Sequence, residues 1–187
     1  DIKTFLSEVR QGMTPINFWS YEFAGHTDQA NAEIKNIFGS KIFDTPKPSL
    51  LIRRMIEHSC RENDIILDFF SGSSTTAHAV INMNMADGGK RKFIMVQLPE
   101  PCLENSTASQ EGYKNICDIA QERIRRAGKK IKEEAGLQGQ HLDIGFRVYK
   151  LDSSNLRVWN PDADNLELAL GSHEKHLLPG RTQEDLL

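Results

Sequence analysis

Apolar positions change their spacing several times along the chain, and each change predicts an element. Ile2, Phe5, Leu6 and Val9 make a short helical stripe, and Phe18, Trp19, Tyr21 and Phe23 crowd an aromatic loop. A second helix is predicted to start near Thr27 or Asp28, to carry Ala30, Ile34, Ile37 and Phe38, and to stop at Gly39. Pro48 suits a first helical position. Leu51, Ile52, Met55 and Ile56 then form a stripe beside Arg53 and Arg54, so that helix runs to about His58.

The period then shortens. Asp64-Ile65-Ile66-Leu67-Asp68-Phe69 reads as a buried strand, a small-residue turn follows, and a helix extends from Thr75 to about Met85, where Asp87-Gly88-Gly89 ends it. The run from Lys92 through Phe93, Ile94, Met95, Val96 and Gln97 to Leu98 is a second strand, closed by Pro99 and Pro101. Strand, helix and strand in this order make a βαβ unit with parallel strands and a right-handed crossover. Residues 64–70 are expected to be a central strand. Beyond a polar loop, Tyr113, Ile116, Ile119, Ala120, Ile124, Ala127 and Ile131 repeat at helical spacing; this long helix, weakened in propensity at Gly128, should cover one face of the sheet. Residues 144–151 alternate like a strand, and the polar remainder to Leu187 is expected to be loosely ordered. The fold class is therefore α/β, with a largely parallel sheet and flanking helices. Three regions follow: an N-terminal segment at 1–43, a core at 44–151 and a C-terminal extension at 152–187.

Composition narrows the class without naming a function. With 187 residues, 39% hydrophobic and 26% charged, the chain is of the size and make-up of one soluble globular domain. A net charge of -3 exerts no global pull on nucleic acid, so any such contact needs a local patch. Cys60, Cys102 and Cys117 are odd in number and form no CxxC pair, which argues against a disulfide framework or a zinc site and favours a reducing, cytoplasmic location. No apolar run approaches a membrane span, and the first residues lack the order of a signal peptide. A chain that opens on Asp1 in mid-pattern reads as a fragment of a longer protein.

The chemistry concentrates in Asp68-Phe69-Phe70-Ser71-Gly72-Ser73-Ser74-Thr75-Thr76, where a strand hands over to a helix. In an open parallel sheet, ligands bind off the carboxyl ends of strands. Gly72 permits a tight turn, the amides of the following helix terminus receive an anion, and the hydroxyls of Ser73, Ser74, Thr75 and Thr76 supplement them. Asp68 adds a carboxylate suited to an ammonium or hydroxyl on the same ligand. A phosphate-binding loop is disfavoured, because its signature needs a Gly-Lys-Ser/Thr ending and no lysine lies between Gly72 and Thr76. A merely structural turn has roughly even odds on this segment alone.

Neighbouring motifs tip that balance. Thr45-Pro46-Lys47-Pro48, then a helix with Leu50 and Leu51, then the Asp64 strand and its glycine turn resemble motif X running into motif I of the β-class amino-methyltransferases. The resemblance extends through Asp87-Gly88-Gly89-Lys90 and the following strand to Glu100, the helix from Asp118 to Ala127, and Gly145-Phe146-Arg147-Val148-Tyr149-Lys150-Leu151-Asp152. Upstream, Trp19-Ser20-Tyr21-Glu22 and Gly25-His26-Thr27 fit as well. Together these are similar to the modification subunit of type III restriction-modification systems, over nearly the whole chain.

That resemblance implies a partial Rossmann-like methyltransferase fold with S-adenosyl-L-methionine as cofactor, residues 1–43 closing the region after a target-recognition domain. Asp68 and Gly72, flanked by Phe69 and Phe70, would line the methionine end, with Ser73, Thr75 and Thr76 near its carboxylate and Lys47 and Pro48 completing that side. Gln97 ends the second strand, and Glu100 is the implied holder of the ribose hydroxyls. Double-stranded DNA, a restriction subunit and a second copy of the parent are the implied partners, and adenine the implied target base. Two departures stand out. Ser74 replaces the usual second glycine, and none of the 7 prolines adjoins another, so the catalytic Asp-Pro-Pro-Tyr type element is absent. The chain alone is expected to be inactive. The alternatives are another nucleotide-binding α/β enzyme domain and a noncatalytic interaction module that keeps the fold.

Other features read as structure. Arg123, Arg125, Arg126, Lys129, Lys130 and Lys132 make the long helix basic, yet Glu122, Glu133 and Glu134 punctuate the run, so a solvated face is expected rather than a DNA contact. The N-terminal aromatics are expected to be a buried anchor. His173, Glu174 and His176 lack the spacing of a helical zinc motif, and His78 is expected to pack rather than to catalyse.

Overall fold

A computed structural model of the chain describes residues 17–156, 164 and 177–182. The first helical stripe and the His173, Glu174 and His176 group lie outside the described residues. By its internal contacts the chain divides into 1–145 and 146–187. In the second part, Leu156 and Leu177 form an isolated antiparallel bridge, with Leu178 N donating to Asn155 O at 3.0 Å.

The first part begins with α1 (Tyr21–Ala24) and α2 (Thr27–Phe38), which ends on a left-handed Gly39 as its sequence predicts. α3 (Ser49–Ser59) starts one residue later than expected, with Pro48 in its N-cap position. β1 (Ile65–Asp68), α4 (Thr75–Asp87) and β2 (Lys92–Met95) form the βαβ unit. The two strands are parallel, with Ile65 opposite Lys92 and Asp68 opposite Met95. The polar loop after β2 contains a further short helix, α5 (Thr107–Gln110). α6 (Ile116–Glu134) opens on a capping box in which Asn115 Oδ1 accepts from Asp118 N and Asp118 Oδ2 accepts from Asn115 N. These reciprocal bonds satisfy amides that a helix start leaves open, so Tyr113 stays outside the helix. A short 3-10 helix, Gly136–His141, follows.

α4 is the packing centre. It touches α3 and α6, and Thr75, Thr76, Ala77, Ala79, Val80, Ile81 and Met83 are all buried. One cluster joins Ile56, Ala79, Val80 and Met83 to Ile66 and Phe93 of the strands; another joins Ile34, Phe38, Ile42, Ala108 and Ile119. Gly128 keeps its place in α6 because Ile144 lies on it: a Cβ there would meet Ile144 Cβ at 3.1 Å.

Three expectations need correction. β1 is not buried on both faces, and within the described sheet it is one of two strands rather than a central one: Ile66 packs on the helices while Ile65 and Leu67 remain 61% and 58% exposed. Ile94, Val96 and Leu98 continue that apolar, uncovered face. Residues 144–151 form no strand despite their alternation, because no neighbouring strand takes up their backbone groups among the described residues. The aromatics divide: Trp19 lies 5.7 Å from Phe23 and 5.5 Å from His58 of α3, with Arg54 4.5 Å over Phe23, whereas Phe18 and Tyr21 are exposed. No described helix is long and apolar enough to cross a membrane.

Candidate functional site

β1 ends on Asp68, and the chain turns through Phe69 and Phe70 into Ser71-Gly72-Ser73-Ser74 before α4 begins. Asp68 ties the two limbs of this turn together. Its Oδ1 accepts from Phe70 N at 3.1 Å and its Oδ2 from Thr76 Oγ1 at 2.6 Å. The parallel pairing carries on past the strands, with Val96 N donating to Asp68 O at 2.8 Å and Ser71 N to Val96 O at 3.1 Å. Gly72 N donates to Gln97 Oε1 at 2.8 Å, so Gln97 braces the turn from the end of β2.

Two residues of the turn are left-handed, Gly72 at φ +49° and Ser74 at φ +58°. A Cβ at Gly72 would meet only Phe43 Cζ at 3.5 Å and Phe70 O at 4.0 Å, so this stretch of backbone is open to close approach. Ser74 is the N-cap of α4 but makes no side-chain cap bond, and its buried Oγ has no hydrogen-bond partner. The first-turn amides of α4 thus have neither intrahelical nor cap acceptors.

Beneath the turn lies a buried cation. Arg123 of α6 is 0% exposed, and its Nη1 donates to Ser73 Oγ at 2.8 Å and to Thr75 Oγ1 at 2.7 Å. Its Nη2 lies 3.4 Å from Glu33 Oε2 of α2 and 3.5 Å from His78 Nδ1. Glu33 in turn accepts from the Ser49 hydroxyl at 2.9 Å and from Ser49 N at 3.2 Å, beside the Lys47-Pro48 element. Burial lowers the Arg123 guanidinium to about 10, against which Glu33 pulls upward. His78 falls to about 3, first through burial and then through the charges of Arg123 and Lys130, and is a neutral packing residue at physiological pH. Arg123 therefore leaves the solvated face expected for it. Its neighbours keep to that face: Arg126 pairs with Glu122 at 2.7 Å, Lys129 with Glu133 at 3.7 Å and Lys130 with Glu134 at 3.9 Å.

Of the residues singled out from sequence, Asp68, Gly72, Ser73, Thr75, Thr76 and Gln97 come together at this turn. Phe69 and Phe70 stand beside it, 63% and 80% exposed, with ring centroids 5.1 Å apart. Pro48 is buried and Lys47 exposed. Glu100 is exposed beyond β2, its carbonyl accepting from Ile116 N at 3.0 Å. Sequence reasoning missed Glu33, and it placed Arg123 on the wrong face.

A surface depression of about 410 Å3 lined by Arg61, Asn63, Asp87 and Arg91 lies at the opposite, amino end of the strands. It shares no residue with the turn. Cys60, Cys102 and Cys117 are free, and burial raises the Cys102 and Cys117 thiols, which disfavours a nucleophilic role for those two. The described residues contain no cluster of three or more His, Cys, Asp or Glu placed to hold a metal.

With this geometry, the family model described as DNA methylase, of the N6/N4 methyltransferase type, matches residues 5–122. The chain belongs to this DNA methylase family. It is 34% identical over 161 residues to the Mod subunit of the type III restriction-modification enzyme StyLTI of Salmonella typhimurium, covering 86% of this chain and 24% of that protein. The EcoP15I Mod subunit of Escherichia coli is 36% identical over 146 residues, 77% of this chain and 20% of its own length. The type II methyltransferase M.KpnI of Klebsiella pneumoniae is 42% identical over 99 residues, 53% of this chain and 24% of that enzyme. The chain spans a fifth to a quarter of the length of these relatives. In this DNA methylase chain the glycine turn, α4 and β2 all lie inside the matched residues, as does Arg123's partner Glu33, while Arg123 falls one residue beyond them.

Proposed function

We propose that this chain holds S-adenosyl-L-methionine for a site-specific DNA methyltransferase that modifies the exocyclic amino group of adenine in a type III restriction-modification system. One observation carries the reading. At the carboxyl ends of two parallel strands, the Asp68 carboxylate faces the same turn as a helix start whose buried N-cap hydroxyl, Ser74 Oγ, is unpartnered. A ligand bearing an ammonium and a carboxylate close together fits that pair. Asp68 keeps acceptor capacity beyond its two hydrogen bonds, and the first-turn amides of α4 favour an anion through the helix dipole.

In this reading Gly72 lets the backbone approach, while Ser73, Thr75 and Thr76 lie beside the methionine carboxylate. Gln97 shapes the turn, Phe69 and Phe70 supply apolar walls, and Lys47 and Pro48 close the near side. Glu100 holds the ribose hydroxyls. When bound, the cofactor supplies a methyl group activated by its sulfonium. The uncovered apolar face of β1 and β2 supports a larger Rossmann-like sheet, since Ile65, Leu67, Ile94 and Val96 are side chains that proteins bury. The names of the relatives, Mod subunits of restriction-modification enzymes, support DNA and a restriction subunit as partners of the whole protein; double-stranded DNA and a homodimeric parent follow from the resemblance to type III modification subunits alone. A flipped-out adenine would present its amino group to the Asp-Pro-Pro-Tyr type element, which these 187 residues lack. The chain alone binds the donor without transferring it.

Calorimetric titration with S-adenosylhomocysteine tests the cofactor reading. Saturable binding that Asp68→Ala abolishes is expected; preference for ATP, or no binding of either, overturns it.

A further inference from the structure

We propose that Arg123 is a positioning residue that couples the glycine turn to the Lys47-Pro48 element, so that the two sides of the cofactor site are set by one buried cation. The inference rests on the cofactor reading above for its functional consequence, but not for its geometry. Arg123 Nη1 holds two hydroxyls of the turn, Ser73 Oγ at 2.8 Å and Thr75 Oγ1 at 2.7 Å. Through Nη2 it reaches Glu33, and Glu33 receives both the hydroxyl and the backbone amide of Ser49 at the start of α3.

Four elements meet in this chain: α6 supplies the cation, α2 the anion, and the turn and α3 the hydroxyls. Charge-assisted bonds are strong and directional, and here they run from a fully buried guanidinium to a half-buried carboxylate, so each end senses the other. Further contacts bind the same region together. Pro48 lies where a Cβ on Gly25 would meet it at 3.0 Å, and Phe43 lies 3.5 Å from the Cβ position of Gly72. Because the guanidinium is committed from below, Ser73 and Thr75 are turned toward Arg123 through their side chains. Their backbone amides are left to the face above. Arg123 is thus no ligand of the cofactor; it fixes which groups of the turn the cofactor meets.

A substitution at the far end of the network tests this without unfolding the core. Ser49→Ala removes one hydroxyl from a partly buried helix start. Amide hydrogen exchange is expected to speed up at least threefold at residues 73–76 in Ser49→Ala, and further when Glu33→Gln removes the remaining bonds to Ser49 N and Arg123. Unchanged exchange at 73–76 overturns the coupling, whether or not any cofactor binds. In parallel, S-adenosylhomocysteine is titrated into Glu33→Gln and Arg123→Lys well below their melting temperatures. Dissociation constants at least tenfold weaker than wild type are expected, with Arg123→Lys recovering part of what Arg123→Met loses. Variants that melt earlier but bind as wild type show a purely structural cation and refute positioning. Wild-type chain that fails to bind refutes the cofactor reading instead, and leaves the exchange result to decide the coupling.

Discussion

Ser74→Gly should stabilise this chain, against the usual outcome of removing a buried side chain. Ser74 is the one described non-glycine residue with positive φ, at +58°, where Cβ crowds the following carbonyl at a cost of roughly 1–2 kcal/mol. Glycine removes that strain but gives back roughly 0.5–1 kcal/mol through the larger entropy of its unfolded chain. The hydroxyl adds to the gain: Ser74 Oγ is buried without a partner, and an unsatisfied polar group costs about 1–3 kcal/mol. Lost packing around a serine Cβ offsets part of this, leaving a net gain of about 1 kcal/mol. Urea unfolding should then shift its midpoint upward by roughly 0.5 M, or the melting temperature by about 2–4 °C. Ser74→Ala serves as the control, since it deletes the hydroxyl but keeps the strained backbone; it should gain less than glycine. A glycine variant no more stable than the alanine variant would falsify the claim that the backbone at this turn is strained.

Other consequences are more local. Asn115→Ala should cost about 1 kcal/mol by opening the capping box of α6, and adding Asp118→Ala should cost much less than a second independent loss, as a double-mutant cycle in urea will show. His78 is held neutral in the fold at about 3 against 6.5 in the unfolded chain, so the unfolded state takes its proton first as pH falls. Stability is therefore full above about pH 6.5 and drops below it by up to about 1.4 kcal/mol per pH unit, and His78→Asn should flatten that slope; an equal slope in both proteins removes His78 as its source. Leu67→Thr with Val96→Thr should change stability by no more than about 0.5 kcal/mol, because neither side chain is covered, while reducing the binding of a hydrophobic dye by the isolated chain.

How far the sequence carried the fold depends on whether an element is set by its own neighbours or by distant ones. α2 was legible because its apolar stripe and Gly39 are local signals, and the βαβ order was legible because a period change and turn residues mark it. The capping box of α6 was also local, in Asn115 and Asp118, but the helical stripe was started at Tyr113, ahead of the cap. Burial of β1 was not legible, since a run of Ile65, Ile66 and Leu67 looks the same whether one face or both are covered. Residues 144–151 show the converse: alternation describes a strand's faces but supplies no partner for its backbone, and pairing is a property of the sheet.

Arg123 is the most instructive of these cases. Taken with Arg125 and Arg126 it belongs to a basic run, and a basic run is ordinarily solvated. Taken by helical period it stands one turn from Ile119 and one turn from Ala127, on the apolar stripe that α6 buries, where Ile119, Ala127 and Ile131 are at most 8% exposed. A charge inside an apolar stripe is tolerated only when it is paired and hydrogen-bonded, so its position already demanded an anion and polar acceptors nearby. Glu33, one residue before the buried Ile34, and the hydroxyls of the glycine turn meet that demand. The phase of a charge relative to the helical stripe, rather than its presence in a charged run, was the signal that connected α6 to the candidate site.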